Sequence, residues 1–267
     1  FYYEIVRDML AAGVDPERST IFVQSEVHQH AELASFLSMT TPLSWLERCP
    51  TFKDAVRENT SGESISLGLI SYPVLMTSDI VLYDAEYVPV GKDQLPHLEI
   101  SREIVRRFNN LFGDTFVEPK PLLTKFPLLL GPDNRKMSKS YDNCIYLTDS
   151  GKELKKKVFS MITDKNKVRK NDPGNPEVCN VFTYHKIFKT EGIDEIDSSC
   201  RSGELGCVAD KNRLFDVLSS VLETHQEKRK EFSNSDIREI LDRGRKRASE
   251  IASEKIERVK KNMGMKV

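Results

Sequence analysis

Over its first 148 residues the chain alternates between apolar residues at helical spacing and short unbroken apolar runs, and no other feature narrows the fold as much. Phe1, Ile5 and Met9 recur every four residues, and Gly13 is placed to cap that helix ahead of the turn Val14-Asp15-Pro16. Ile21-Phe22-Val23, bounded by Thr20 and Gln24, has the pattern of a strand buried on both faces. A helix is expected next over about 28–39. Ser71 to Tyr83 reads as another, with Pro73 in its first turn, where a missing N–H is harmless. Glu86 to Val90 reads as a second buried strand ended by Gly91. Ile100, Ile104 and Phe108 mark a helix running from near Asp93 to Gly113. Such alternation builds an α/β layer with parallel strands. From about Lys152 only helical stripes follow, and the last, starting at Ser233 and Asp236, carries Ile237, Ile240, Leu241, Ala248, Ile251 and Ala252 on its inner face. The expected architecture is an α/β domain over 1–148 and an all-helical domain over 149–267, the last helix packing back on the first domain.

Composition removes several classes of function. Hydrophobic residues at 39% and charged residues at 30% match a soluble globular protein. No apolar run approaches the ~20 residues of a membrane helix; the longest, about 65–82, is interrupted by serines, Pro73 and Asp79. Five cysteines, an odd and scattered set, suit a reducing compartment better than a disulfide scaffold, so a cytoplasmic location is expected. The net charge of −1 conceals an asymmetry: residues 1–131 hold 11 basic and 18 acidic side chains, residues 132–267 hold 29 and 23. Either the basic half faces a polyanion, or it is a set of solvated helices rich in i,i+4 pairs.

Three places can carry chemistry. Asp79 sits among Leu75, Met76, Ile80, Val81 and Leu82, where a carboxylate is expensive to bury without a partner. Helical spacing puts it on one stripe with Tyr72 and Met76. It can accept from a ligand, or it can be an exposed or locally bonded aspartate. Val88-Pro89-Val90 followed by Gly91-Lys92-Asp93-Gln94 is a strand-to-helix junction, the kind of place where open α/β sheets bind nucleotides. Asp93 there can accept from a ribose hydroxyl or simply cap a helix. Lys136-Met137-Ser138-Lys139-Ser140 follows the turn formers Gly131-Pro132-Asp133-Asn134. Two lysines flanking a serine can bring charge to a departing pyrophosphate, where it counts chiefly in the transition state; the plain alternative is a solvated basic loop.

Taken together, these residues resemble class I aminoacyl-tRNA synthetases, whose second catalytic motif is KMSKS, and most closely the bacterial-type tryptophanyl-tRNA synthetases. The likeness runs through Val14-Asp15-Pro16, Ile21 to Glu26, Leu75 to Ile80, Val88 to Gln94 with His97, Glu99 and Arg102, and Met137 to Ser140. It implies a Rossmann-like parallel-sheet catalytic domain and a helical tRNA- and anticodon-binding domain. It implies that Asp79 accepts the indole N–H of L-tryptophan, that Met76, Val88 and Val90 wall the ring, and that Tyr72 and Gln94 hold the α-amino end. Gly91, Lys92 and Asp93 would line the ATP site, although Lys92 stands where many members carry an acidic residue. Lys136, Ser138 and Lys139 would grip the phosphates, with Met137 and Ser140 beside them. The implied partners are ATP with Mg2+, tRNA(Trp) and a second copy of the chain. Lys155-Lys156-Lys157 and Arg243, Arg245, Lys246 and Arg247 are candidates for tRNA phosphates. Tyrosyl-tRNA synthetases are the nearest alternative, but they usually carry G-G-x-D-Q where this chain has Val90 to Gln94. A non-catalytic tRNA-binding or regulatory relative is the other.

Two departures qualify the resemblance. The first class I motif, a HIGH-like loop, belongs upstream of Phe1, and the chain as written is expected to lack that half of the ATP site. His28 and His30 lack the neighbouring glycine and leucine and read as an exposed helix start. Some members also hold an iron–sulfur cluster on four cysteines ending C-x6-C-x2-C. Cys200 and Cys207 keep the first spacing, but Asp210 takes the last position and Cys179 is distant in sequence. Neither a cluster nor a structural zinc is therefore expected.

Overall fold

The computed structural model describes residues 1–58, 64–123 and 128–265. In chain order the elements are α1 (Tyr2–Ala11), α2 (Gln29–Thr40), α3 (Leu43–Glu47), α4 (Pro50–Glu58), α5 (Leu67–Val81), β1 (Tyr87–Val90), α6 (Leu95–Phe112), β2 (Lys120–Leu123), α7 (Gly151–Ser160), α8 (Asn180–Ile187), α9 (Ile193–Ser202), α10 (Cys207–Lys230) and α11 (Asn234–Asn262). They form two compact units, each discontinuous in sequence. One joins 16–127 to 235–267 and carries the sheet; the other joins 1–15 to 128–234 and is helical. α1 and the KMSKS segment group with α7–α10, and α11, the last helix, groups with the sheet.

In the sheet unit, β1 and β2 pair in parallel, Tyr87 opposite Lys120 and Val90 opposite Leu123. Parallel strands need a crossover, and α6 supplies it. Its buried stripe, Leu98, Ile104, Val105 and Phe108, packs in one core with Leu33 and Leu37 of α2, Val74 and Val81 of α5, and Ala248, Ala252 and Ile256 of α11. Gly113, at φ +85°, ends α6 by donating to the Asn109 carbonyl. α11 approaches the chain at Ile21 so closely that a Cβ on Gly244 would lie 1.9 Å from the Ile21 carbonyl oxygen. Lys255 of α11, buried, reaches Asp84 at 2.5 Å, and Asn262 donates to the Thr115 hydroxyl at 2.8 Å.

The helical unit has its own core. Leu214, Leu218 and Leu222 of α10, spaced i, i+4, i+8, meet Leu154 and Val158 of α7 and Val181, Phe182 and Tyr184 of α8. α1 packs against α10.

Four sequence expectations need correction. Ile21 is buried, but Ile21-Phe22-Val23 is an extended segment outside any ladder among the described residues; the carbonyl of Ile21 faces Gly244 instead. The strand expected over Glu86 to Val90 exists as β1, yet its residues alternate between exposed and half-buried rather than lying buried on both faces. Pro73 is interior, not first-turn: Ser66, seven residues before it, caps α5 by accepting from the Leu69 N–H at 3.3 Å. The Pro73 carbonyl still accepts from the Thr77 hydroxyl at 2.8 Å. On α1 the inner face is Val6, Leu10 and Ala11, while Phe1, Ile5 and Met9 are exposed.

Candidate active site

Asp79, near the C-terminal end of α5, is more constrained than its sequence neighbours suggest. Gln24 donates to both of its oxygens, at 2.7 and 2.9 Å. Nδ1 of His30 lies 2.6 Å from Oδ1, and Nε2 of the same ring lies 2.9 Å from the Tyr83 hydroxyl. Phe22 packs against both rings, tilted on His30 and edge-on to Tyr83. Burial, with the Asp79 charge second, pushes the Tyr83 hydroxyl up to about 12. His30 is thus not the exposed helix start expected from sequence; it is 4% exposed, while His28 is exposed. The reason is positional. His28 precedes the first turn of α2, whereas His30 enters the face that packs on α5.

Tyr72, seven residues earlier on α5, belongs to a second polar group. Its hydroxyl bonds to Nε2 of His97 on α6 and lies 3.7 Å from the Cys49 sulfur, and Thr51 reaches the same histidine nitrogen at 3.2 Å. Burial pushes the Tyr72 hydroxyl above, and His97 below, the ordinary value. Tyr72 and Asp79 therefore share a helix but have separate hydrogen-bond partners. Met76, Tyr72, Val88 and Val90 are brought together in one respect: all four pack, half-buried, against the same apolar core.

β1 ends at Val90, and Gly91 opens a 3-10 turn over Lys92–Gln94 that leads straight into α6. Lys92 and Asp93 are exposed and Gln94 is half-buried, its amide donating to Asp93 at 3.1 Å. The free N–H groups of a helix start favour an anion at such a junction.

The KMSKS run lies in the helical unit, on a loop with a firm base. Leu130 and Lys136 pair across it, and the Gly131 N–H donates to the Arg135 carbonyl at 2.8 Å. Buried Asn143 staples the loop from inside. Its Oδ1 accepts from the Ser138 N–H at 2.8 Å, and its Nδ2 donates to Asp133 at 2.8 Å and to the Lys136 carbonyl at 3.2 Å. That bond from Asn143, with Arg135 alongside, holds Asp133 down at about 2. Asn180 and Tyr184 of α8 donate to the carbonyls of Gly131 and Leu130, at 2.8 and 2.7 Å. Lys136 and Lys139 are exposed, and Lys139 to Tyr141 form a 3-10 turn; the Ser140 side chain lies outside the described part. Beside the loop is a cavity of about 770 Å³ lined by Tyr141, Asn143, Lys152, Lys156 and Lys157 among others. Of the triple lysine, Lys155 lies over the rings of Phe159 and Phe215, and Lys157 pairs with Asp149 at 2.6 Å. Lys156 lines the cavity. In the other basic group Arg243 bonds to Glu17 at 2.7 Å.

Asp210, where the cluster motif has its last cysteine, is buried and 3.1 Å from Nε2 of fully buried His185, whose Nδ1 is 2.8 Å from the Thr190 hydroxyl. Cys179 is buried, and its thiol is pushed up to about 11 by that burial. Among the described residues no group of three or more His, Cys, Asp or Glu side chains is disposed to hold a metal ion.

Residues 1–223 match the family described as tRNA synthetases class I (W and Y). The chain belongs to that family. A tryptophan–tRNA ligase from Thermotoga maritima is 42% identical over 266 residues, which is 98% of this chain and 81% of that protein. One from Aquifex aeolicus is 38% identical, over 98% of this chain and 85% of its own length. Among solved structures, a tryptophanyl-tRNA synthetase from Campylobacter jejuni complexed with ADP and tryptophan aligns with a TM-score of 0.83 at 37% identity, covering 98% of this chain and 82% of that one. The class I synthetase fold is here mostly helical with a small parallel sheet, and the family uses ATP. In this synthetase the Asp79 group and the β1–α6 junction sit in the sheet unit, and KMSKS sits in the helical unit.

Gln24, His30, Tyr83 and Asn143 were missed as site residues on sequence grounds. Gln24 lies within the run Ile21 to Glu26 and Tyr83 four residues after Asp79, but nothing in the sequence pairs Gln24 with Asp79, 55 residues away, or Tyr83 with His30, 53 away. Asn143 stands three residues after KMSKS, and an asparagine after a turn carries no signal that it reaches back into the loop.

Proposed function

We propose that this synthetase activates L-tryptophan with ATP and transfers it to tRNA(Trp). The observation that carries the proposal is an ionisable carboxylate, Asp79, held on α5 by two donors, in a chain aligned over 98% of its length with tryptophan–tRNA ligases. Indole N–H is a donor only, so a fixed acceptor suits it, and a side chain lacking that donor would leave the carboxylate unpaired. Met76, Val88 and Val90 would wall the ring, and Tyr72 and Gln94 would hold the α-amino end. Gly91, Lys92 and Asp93, at the start of α6, would line the nucleotide.

In the first step the tryptophan carboxylate attacks the α-phosphorus of ATP. The new C–O–P linkage forms as pyrophosphate leaves, and Mg2+ arrives as part of the nucleotide substrate. Lys136, Ser138 and Lys139, with Met137 and Ser140, would meet the charge that builds on the departing phosphates. The 3′-terminal adenosine hydroxyl of tRNA then takes the tryptophanyl group and AMP is released. No protein nucleophile is required; positioning and charge carry the rate. The segment 1–148 is assigned to activation and 149–267 to tRNA and anticodon binding, with Lys156 among the phosphate contacts. The enzyme is assigned to the cytoplasm, which suits its five scattered cysteines, and to a homodimer, as the resemblance implies. Neither an iron–sulfur cluster nor zinc is assigned, because Asp210 is engaged by His185.

The test is aminoacylation of tRNA(Trp) with labelled tryptophan by the intact protein. Charging with tryptophan supports the proposal. A protein that binds tRNA(Trp) but never charges it would return the non-catalytic alternative.

A further inference from the structure

Asp79 is braced from behind by a buried histidine that the recognition scheme does not include. His30, 4% exposed, places Nδ1 2.6 Å from Asp79 Oδ1 and Nε2 2.9 Å from the Tyr83 hydroxyl. An ionised carboxylate only accepts, so Nδ1 carries the proton, and in the neutral ring Nε2 accepts from the Tyr83 O–H. Tyr83 keeps that proton through the neutral range, since burial and the Asp79 charge hold its hydroxyl up near 12. With the ring neutral, the bonds run in one sense, from Tyr83 to His30 to Asp79. Phe22 lies 5.8 Å from the histidine ring and 5.7 Å from the tyrosine ring. Ser78, the residue before Asp79, donates to the His30 carbonyl at 2.7 Å, which ties α2 to α5 at the level of the carboxylate.

The carboxylate is thereby occupied unevenly. Oδ1 receives His30 and Gln24, whereas Oδ2 receives only Gln24, at 2.9 Å. Gln24 is exposed, and the Asp79 side chain is itself 37% exposed. Oδ2 retains acceptor capacity for one further donor.

We propose that His30, braced by Tyr83, is the positioning residue for amino-acid selection: it fixes Oδ1 of Asp79 and so presents Oδ2 to the donor of the incoming ring. This rests on the assignment of Asp79 as the indole acceptor. A carboxylate without that brace turns toward Gln24 or water, and the site then refuses a ring lacking N–H less strictly.

The test is ATP–pyrophosphate exchange by the intact protein, read as the ratio of kcat/KM for tryptophan to that for β-(3-benzothienyl)alanine, in which sulfur replaces the N–H. His30→Leu lowers this ratio about tenfold or more, through the KM for tryptophan and not that for ATP. His30→Asn, whose amide restores a donor near the Nδ1 position, recovers most of it, and Tyr83→Phe falls between. Equal losses on both amino acids in a folded His30→Leu overturn the proposal, because a purely structural role predicts that. Should His30→Leu fail to fold, Tyr83→Phe decides: a several-fold fall supports the proposal and an unchanged ratio overturns it. Asp79→Asn separates the two assignments. A ratio unmoved by Asp79→Asn removes Asp79 as the indole acceptor, whereas a ratio that collapses there but survives in His30→Leu removes only His30.

Discussion

A carboxylate held by two donors, with acceptor capacity left on one oxygen, is a selective acceptor only while its charge stays in place. Asp79→Asn keeps the shape but replaces one oxygen by a donor, which then faces Gln24 or His30. The KM for tryptophan should rise about 10- to 100-fold, the worth of one hydrogen bond to a charged group, while the KM for ATP changes little. Unchanged tryptophan dependence would remove Asp79 from the pocket. The aspartate was legible because a carboxylate amid Leu75, Met76, Ile80 and Val81 is costly without a partner. Its partners were not: His30 lies 49 residues away, and which of two histidines turns inward depends on the packing of α2 against α5.

Elements carry the next level of constraint, and two glycines and one asparagine mark where. A Cβ on Gly131 would lie 2.4 Å from the Asn143 carbonyl oxygen, so the base of the KMSKS loop closes around Asn143. Asn143→Ala removes the bonds to Ser138, Asp133 and Lys136 together. Exchange should slow and the KM for ATP rise, with the KM for tryptophan unmoved; equal effects on both substrates would show that the loop does not act on the nucleotide alone. Gly244→Ala on α11 must push the helix off the Ile21 carbonyl. A loss of about 1–3 kcal/mol is expected from such overpacking, visible as a lower denaturant midpoint, and an unchanged midpoint would contradict the close approach. The KMSKS run was readable from five letters, and the helices of the second half from their stripes. The fate of Ile21 to Val23 was not, because a strand is defined by its neighbours and an apolar triplet says nothing about which backbone will meet it. Pro73 misled for a related reason: the cap that starts α5 is Ser66, seven residues earlier.

For the whole molecule, the sequence order and the spatial order differ. The alternation of patterns gave way to helices alone near 148, with the last helix expected to return to the first part. The compact units take α1 from one end and α11 from the other. Long-range docking of α11 depends on Gly244 and on buried Lys255 pairing with Asp84, neither of which helical periodicity reveals. Global stability also has a readable pH dependence. Cys179 is held up at about 11 against an ordinary 9, so folding favours its neutral thiol. That contribution is complete below about pH 9 and is lost as pH rises through 11. The denaturant midpoint should fall across that window, and Cys179→Ala should flatten the fall; an equal slope in the variant would place the titration elsewhere.

The central claim is that this chain activates tryptophan and that Asp79 selects it. ATP–pyrophosphate exchange by the intact protein, with tryptophan and tyrosine offered separately and with Asp79→Asn run beside the unaltered protein, tests both parts at once. Exchange should depend on tryptophan, be absent with tyrosine, and weaken in Asp79→Asn through the tryptophan KM. Exchange with tyrosine but not tryptophan would contradict the account.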